Sequence, residues 1–146
     1  MTLDSDIDAA LAGLDGRRGS MVPFAGTWCL APYPRTRSAD GRACTVLADD
    51  DGLQTLVVAD DGEILIVTDD GTELVNTTIE RFAACARAYT EARKQARHID
   101  EDDEETLEVH GEQTLATFRG IDPAAVAGEN QFWSVAAEEL GYGLTI

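Results

Sequence analysis

The sequence predicts a single α+β domain in which an antiparallel meander of strands is followed by helices. The chain has 146 residues, a length that suits one domain with a core of its own. Hydrophobic residues make up 44% and charged residues 27%, as in folded globular proteins. Asp-Gly turn signals recur in the middle of the chain, and helical periodicity follows them. Residues 1–146 are therefore expected to form one domain.

The N-terminal third is predicted to hold a short helix and then a loop-rich stretch. The apolar residues of the helix share helical spacing: Ile7, Ala10, Leu11 and Leu14. Residues 15–42 are interrupted by Pro23, Pro32, Pro34 and several glycines, which favours loops. A strand is predicted only around Thr27, Trp28 and Cys29.

Four short strands are predicted next, because three Asp-Gly signals separate segments rich in Val, Ile, Leu and Thr. Asp-Gly supplies the positive φ that tight hairpin turns need. The strands are 43–48, 53–59, 63–68 and 72–75, and the turn aspartates are Asp49, Asp50, Asp51, Asp60, Asp61, Asp69 and Asp70. Residues 64–67 are apolar on both faces, so this strand should be central and covered on at least part of each side.

A long helix is predicted to follow the meander. Thr77 and Glu80 have the spacing of a capping box, with Thr77 as N-cap, and the helical pattern continues to about Arg97. Residues 100–105 are six consecutive acids, which are typical of a solvated loop or a frayed helix start.

Three further elements are predicted near the C-terminus. A shorter helix should span 113–119, and a turn should begin with Asp122 as N-cap and Pro123 at the first helical position. A last helix should be capped by Asn130, carry Trp133 into the core and stop at Gly141. For Trp28 two roles stay open, that of a core residue and that of an interface residue.

The charge excludes several classes of function. The chain has 11 Lys plus Arg against 28 Asp plus Glu, a net charge of −17 that we expect to be spread along most of its length. Such a field repels phosphate backbones and anionic lipids, so nucleic-acid and membrane partners are disfavoured. No run of about 18 apolar residues is present, and the N-terminus lacks the basic segment of a secretory signal. Cys29, Cys44 and Cys85 lack CxxC spacing and are interpreted as buried thiols in a reducing compartment. These thiols, together with the lack of a secretory signal and of an apolar span, predict a cytoplasmic protein.

The search for catalytic chemistry gives one weak candidate. His98 and His110 flank the acidic run, and with Asp100 and Asp102 they could meet around a divalent metal in a small metal-dependent enzyme. These residues fall in an apparent loop, whereas metal ligands need rigid positions, so we predict no metal site. The turn aspartates lack the calcium-loop pattern, and the sequence contains no GxxxxGK[ST], GxGxxG or GxSxG motif. We predict a protein that is not an enzyme and uses no cofactor.

The order of three motifs carries a family resemblance. After the acidic meander, the segment from Leu74 through Asn76 to Phe82 opens the long helix, Ile121-Asp122-Pro123 follows, and Phe132-Trp133 precedes Glu138-Glu139-Leu140. Over residues 43–140 this order resembles the SUKH superfamily of bacterial immunity proteins, and most closely its fourth group.

The resemblance implies a curved, mainly antiparallel sheet flanked by helices. It also implies neutralisation, by direct binding, of a polymorphic toxin that is commonly a nuclease or a deaminase, with no catalytic residue to transfer. Asn76, Asp122, Pro123 and Trp133 match family positions, and their local sequence assigns them to capping and packing.

The leading hypothesis is therefore an immunity protein that binds a basic cognate toxin. The candidate contacts are the acids of the turns and of the acidic run: Asp49, Asp50, Asp51, Asp60, Asp61, Asp69, Asp70, Asp100, Asp102, Asp103, Glu104 and Glu105. Two alternatives remain at this point. One is a regulatory adaptor of the same fold that binds a different cellular protein, and the other is the metal-dependent enzyme.

Overall fold

The structure, a computed structural model, describes Ala9 and residues 21–24, 26–29, 36–39, 41–50 and 53–143. The helix predicted over residues 7–14 lies outside the described residues, apart from Ala9. The described residues form an antiparallel sheet and three α-helices, so the predicted α+β fold class is confirmed.

Six strands form one antiparallel sheet. They are β1 (Thr27–Trp28), β2 (Thr36–Ala39), β3 (Arg42–Asp50), β4 (Gln54–Ala59), β5 (Ile64–Thr68) and β6 (Gly71–Asn76). The sheet order is β1-β3-β4-β5-β6, and β2 pairs with the first half of β3 while β1 pairs with its last residues. The predicted strand near Thr27 and the four-strand meander are confirmed. Strand β2 was not predicted, although Gly41, in the turn before β3, has the positive φ of 76° that a tight turn needs.

The sheet is buried on both faces. Alternate residues of β4 and β5 point to opposite sides, so each strand contributes to two apolar clusters. Leu56, Val58, Ile64 and Ile66 belong to the cluster that contains the helices, and Val57, Ala59, Leu65 and Val67 belong to the cluster on the other face. The prediction that the strand around residues 64–67 is central and covered on at least part of each side is confirmed.

The first helix, α1 (Ile79–Ala96), has the predicted length but a different cap. The backbone N–H of Arg81 donates to Thr78 Oγ1 at 3.1 Å, so Thr78 is the N-cap and the capping box assigned to Thr77 and Glu80 is wrong. Thr77 instead donates to Asp122, a residue distant in sequence, and a tertiary contact has replaced the expected local one.

The second helix, α2 (Glu104–Ile121), is much longer than the predicted segment 113–119. It begins inside the acidic run, where the Asp103 carboxylate accepts from the backbone N–H of Thr106 at 3.1 Å. Acidic residues favour the positive end of the helix dipole, so the run predicted as a solvated loop or a frayed helix start contains the start of this helix.

The chain ends in a 3₁₀ turn (Pro123–Val126) and α3 (Phe132–Gly141). The N-cap position of α3 is Gln131 and not the predicted Asn130. Gly141 is the last helical residue, while Gly143, with φ of 74°, adopts the left-handed conformation that ends helices. None of the described helices is long and apolar enough to cross a membrane.

An aromatic cluster lies at the centre of the helical side of the core. Trp133 is fully buried, as predicted, and four rings surround it with centroid distances of 5.0–6.2 Å: Phe82, Tyr89, Phe118 and Phe132. Trp28 is half-buried and packs against the apolar core on the same side of the sheet, where its ring meets Phe24 edge-on at 6.2 Å. Both tryptophans therefore contribute to the core.

Candidate partner-binding surface

A buried polar cluster connects the end of the sheet to all the helices. The Asp122 carboxylate is 1% exposed and accepts from Asn76 Nδ2 at 3.0 Å and from the Thr77 backbone N–H at 2.8 Å. Trp133 Nε1 donates to Asn76 Oδ1 at 2.7 Å. Asp122 occupies the N-cap position of the 3₁₀ turn with Pro123 directly after it, as predicted, but its side chain forms no capping bond and belongs to this cluster instead. These residues support the fold and are closed to a partner.

The cysteines have the environment of structural thiols. Cys44 and Cys85 are buried, as predicted, whereas Cys29 is only partly buried. Burial raises the pKa of the Cys85 thiol to about 11 and also raises the pKa of Cys44. A nucleophilic cysteine needs a lowered pKa, so neither buried thiol is activated.

The raised pKa of Cys85 predicts a loss of stability in alkali. Above the usual thiol pKa of 9.0 the unfolded chain releases this proton while the folded chain retains it, so the unfolded state gains stability as the pH rises from 9 to 11. We expect the free energy of unfolding to fall more steeply over this interval in the wild type than in Cys85→Ala. Urea titrations at pH 8, 9, 10 and 11 measure the difference, and parallel pH profiles would contradict it.

The histidines do not form a metal site within the described part of the chain. His110 is buried on α2, and its Nε2 lies 2.8 Å from the carbonyl oxygen of Ala92. A carbonyl only accepts, so Nε2 carries the proton and is not a metal ligand. His98 is exposed after the end of α1. Among the described residues no group of three or more His, Cys, Asp or Glu could hold a metal ion.

The structure separates the acids of the predicted turns. In the antiparallel meander the β3–β4 and β5–β6 turns lie at one end of the strands and the β4–β5 turn at the other. Since β5 has five residues, the two ends are about 17 Å apart. Asp49, Asp50, Asp69 and Asp70 lie at one end, Asp60 and Asp61 lie at the other, and Asp51 is outside the described residues.

Several of the predicted contact residues already support local structure. Asp61 Oδ2 accepts from Arg42 at 2.8 Å, and the backbone N–H of Glu63 together with Arg42 lowers the pKa of this carboxyl. Hydrogen bonds from the hydroxyl and the backbone N–H of Thr106 lower the pKa of Asp103, the cap of α2. Asp100 accepts from the backbone N–H of Asp102 at 3.0 Å, while the side chains of Asp102, Glu104 and Glu105 are exposed.

The negative charge is concentrated in two segments and is not spread along the chain as expected. Residues 49–76 contain nine acids and no Lys or Arg, and residues 100–143 contain twelve acids and one arginine. Residues 77–99, which include α1, contain five basic residues and two acids. The second segment alone carries −11 of the net −17, so the strongest field surrounds α2 and α3.

A groove of about 440 Å³ runs between α2, the 3₁₀ turn and α3. Its floor includes Gly111, Leu115 and Ala137. A Cβ at Gly111 would lie 2.7 Å from Gly141 Cα, so the two helices touch backbone to backbone. The rim carries charged and aromatic side chains: Glu108, Glu112, Arg119, Glu129, Glu138 and Tyr142.

These groove residues were missed in the sequence. Glu104, Glu108 and Glu112 follow one another at four-residue spacing, which places them on one face of a helix. This four-residue spacing was not interpreted as helical, because the predicted helix began only at residue 113. The contribution of α3 required the tertiary structure.

The structure defines the class of protein as an α+β domain with an acidic surface. An antiparallel sheet carries helices on one face, and an acidic groove lies on this helical side. The family model described as SUKH-4 immunity protein matches residues 19–139, which is most of the chain. The chain belongs to the SUKH-4 immunity protein family, and the resemblance seen in the ordered motifs is confirmed. No curated protein and no solved structure matched the chain.

Proposed function

We propose that this immunity protein neutralises a cognate toxin inside the producing cell by binding it directly through the acidic surface of α2 and α3. Family membership supports the immunity role. The observation that carries the binding surface is the charge of residues 100–143, twelve acids against one arginine. The toxin is proposed to be a basic protein of a polymorphic toxin system, a nuclease or a deaminase.

The charge of the surface matches this class of partner. Enzymes that act on nucleic acid hold the phosphate backbone with Lys and Arg, and their clefts are electropositive. An acidic protein is drawn toward such a cleft, which raises the association rate and makes it fall with salt. Occupation of the cleft then excludes the substrate.

The first experiment uses the toxin domain encoded by the neighbouring reading frame. Co-expression of the full-length immunity protein should restore growth to cells that make this domain, and the purified proteins should associate faster at 50 mM than at 300 mM salt, by roughly tenfold or more. Growth arrest despite co-expression would contradict the immunity role. An association rate independent of salt would contradict the electrostatic surface.

The acidic run predicts a specific kinetic defect. The triple variant D102N/E104Q/E105Q leaves the cap Asp103 in place and should slow association with the toxin domain several-fold at low salt, because it removes three charges beside the groove. The variant D60N/D69N/D70N removes the same charge from the ends of the sheet and serves as the control. Stopped-flow association measures both variants, and equal rates would remove the run from the interface.

A further inference from the structure

We infer that the groove between α2 and α3 receives an arginine-bearing segment of the toxin, with Tyr142 and the rim glutamates as its contacts. The inference rests on the proposed function, since it takes the partner to be a basic protein. It assigns the docking position to residues outside the acidic run and the hairpin turns.

The rim carboxylates are arranged for a cation from outside. Glu108 and Glu112 lie one turn apart on α2, and Glu138 faces them from α3. None of the three forms an ion pair with another described residue. Like charges at four-residue spacing destabilise a helix, so helix stability does not explain this row. A guanidinium between the carboxylates would relieve the repulsion.

The floor and one edge of the groove fit the rest of an arginine side chain. Leu115, which is half-buried, and Ala127, which is exposed, offer apolar surface to its methylene groups, and Tyr142, 68% exposed, offers an aromatic face at the edge. A guanidinium stacks on aromatic rings and binds carboxylates through two parallel hydrogen bonds, which an ammonium does not do. The volume of about 440 Å³ falls within the roughly 300–1,000 Å³ of small-ligand sites, so the groove admits more than one side chain.

Arg119 allows a test of whether the segment that binds in the groove is basic or acidic. Among the described residues that line the groove, Arg119 is the only basic one, and four are glutamates. A basic segment would be repelled by Arg119, whereas an acidic segment would use it as its anchor. Removal of this charge therefore separates the two kinds of occupant.

The experiment measures the dissociation constant between the full-length immunity protein and the toxin domain of the neighbouring reading frame by titration calorimetry. E108Q/E112Q/E138Q and Tyr142→Ala should each weaken binding by about tenfold or more. D60N/D69N/D70N, with the same net charge as the triple groove variant, should stay within about threefold of the wild type. Arg119→Gln should bind at least as tightly as the wild type.

The outcomes separate this inference from the proposed function. A wild type that neither binds nor protects against the toxin domain would overturn the proposed function. A wild type that binds, with groove variants equal to D60N/D69N/D70N, would overturn the groove alone. Weaker binding by Arg119→Gln would show an acidic occupant and would also overturn the inference. Circular dichroism and urea unfolding of each variant identify any loss that results from misfolding.

Discussion

Asp122→Ala is expected to lower the free energy of unfolding by about 3–5 kcal/mol. The carboxylate is 1% exposed and accepts from the Asn76 amide, the Thr77 backbone N–H and, at 3.1 Å, the Thr77 hydroxyl. Alanine would leave these donors without their acceptor, and each unsatisfied buried donor costs about 1–3 kcal/mol. Urea unfolding monitored by tryptophan fluorescence measures the loss.

Two variants make the Asp122 measurement interpretable. Asp122→Asn keeps the shape and one acceptor oxygen but turns an amide toward existing donors, so it should fall between alanine and the wild type. Asp69→Ala removes an exposed turn carboxylate and should stay within about 0.5 kcal/mol of the wild type. A loss of less than about 1 kcal/mol in the free energy of unfolding for Asp122→Ala would show that the cluster does not hold the helices to the sheet.

The meander could be predicted because its signals are local. Asp-Gly pairs favour tight turns and β-branched residues favour strands, so β3 to β6 differ from the predicted strands by only a few residues. Strand β2 was missed because only Thr36 among its four residues has a high β propensity, and pairing with β3 supplies the structure.

The polar motifs show where local interpretation fails. Thr77 and Asp122 both have the sequence context of N-caps, yet each side chain bonds to the other across 45 positions of the chain. A capping preference is worth about 1 kcal/mol, and a buried charge-assisted network exceeds it. The resemblance marked these positions and their local sequence indicated structural roles, but their contacts could not be derived without the tertiary fold.

The sequence predicted the acidic chemistry of the candidate surface but not its position. Acidity and a protein partner follow from composition and from the family resemblance, but the residues named from the turns lie at two ends of the sheet. The groove combines α2, the 3₁₀ turn and α3, so no single segment of sequence contains it. In the sequence its glutamates are indistinguishable from ordinary solvent-facing charges, and only the packing of α2 against α3 brings them together.

Trp133→Ala is expected to cost about 3–5 kcal/mol, because it opens a cavity among four aromatic rings and also removes a hydrogen bond. Trp133→Phe keeps much of the ring and should cost about 1–3 kcal/mol, mainly from the lost bond to Asn76 Oδ1. If that bond is the cause, Trp133→Phe and Asn76→Ala should be non-additive in a double-mutant cycle. Urea unfolding of the two single variants and the double variant measures the coupling, and additive losses would contradict it.

Trp133 also connects the stability of the core to the proposed binding surface. It lies on α3, the helix that carries Glu138 into the groove, yet its own side chain is fully buried. The Trp133→Phe variant should therefore bind the toxin domain with unchanged affinity under conditions where it is folded. E108Q/E112Q/E138Q should show the reverse, with weak binding and near-normal stability. If both variants lost affinity and stability together, the groove would be an extension of the core and not a separate recognition surface.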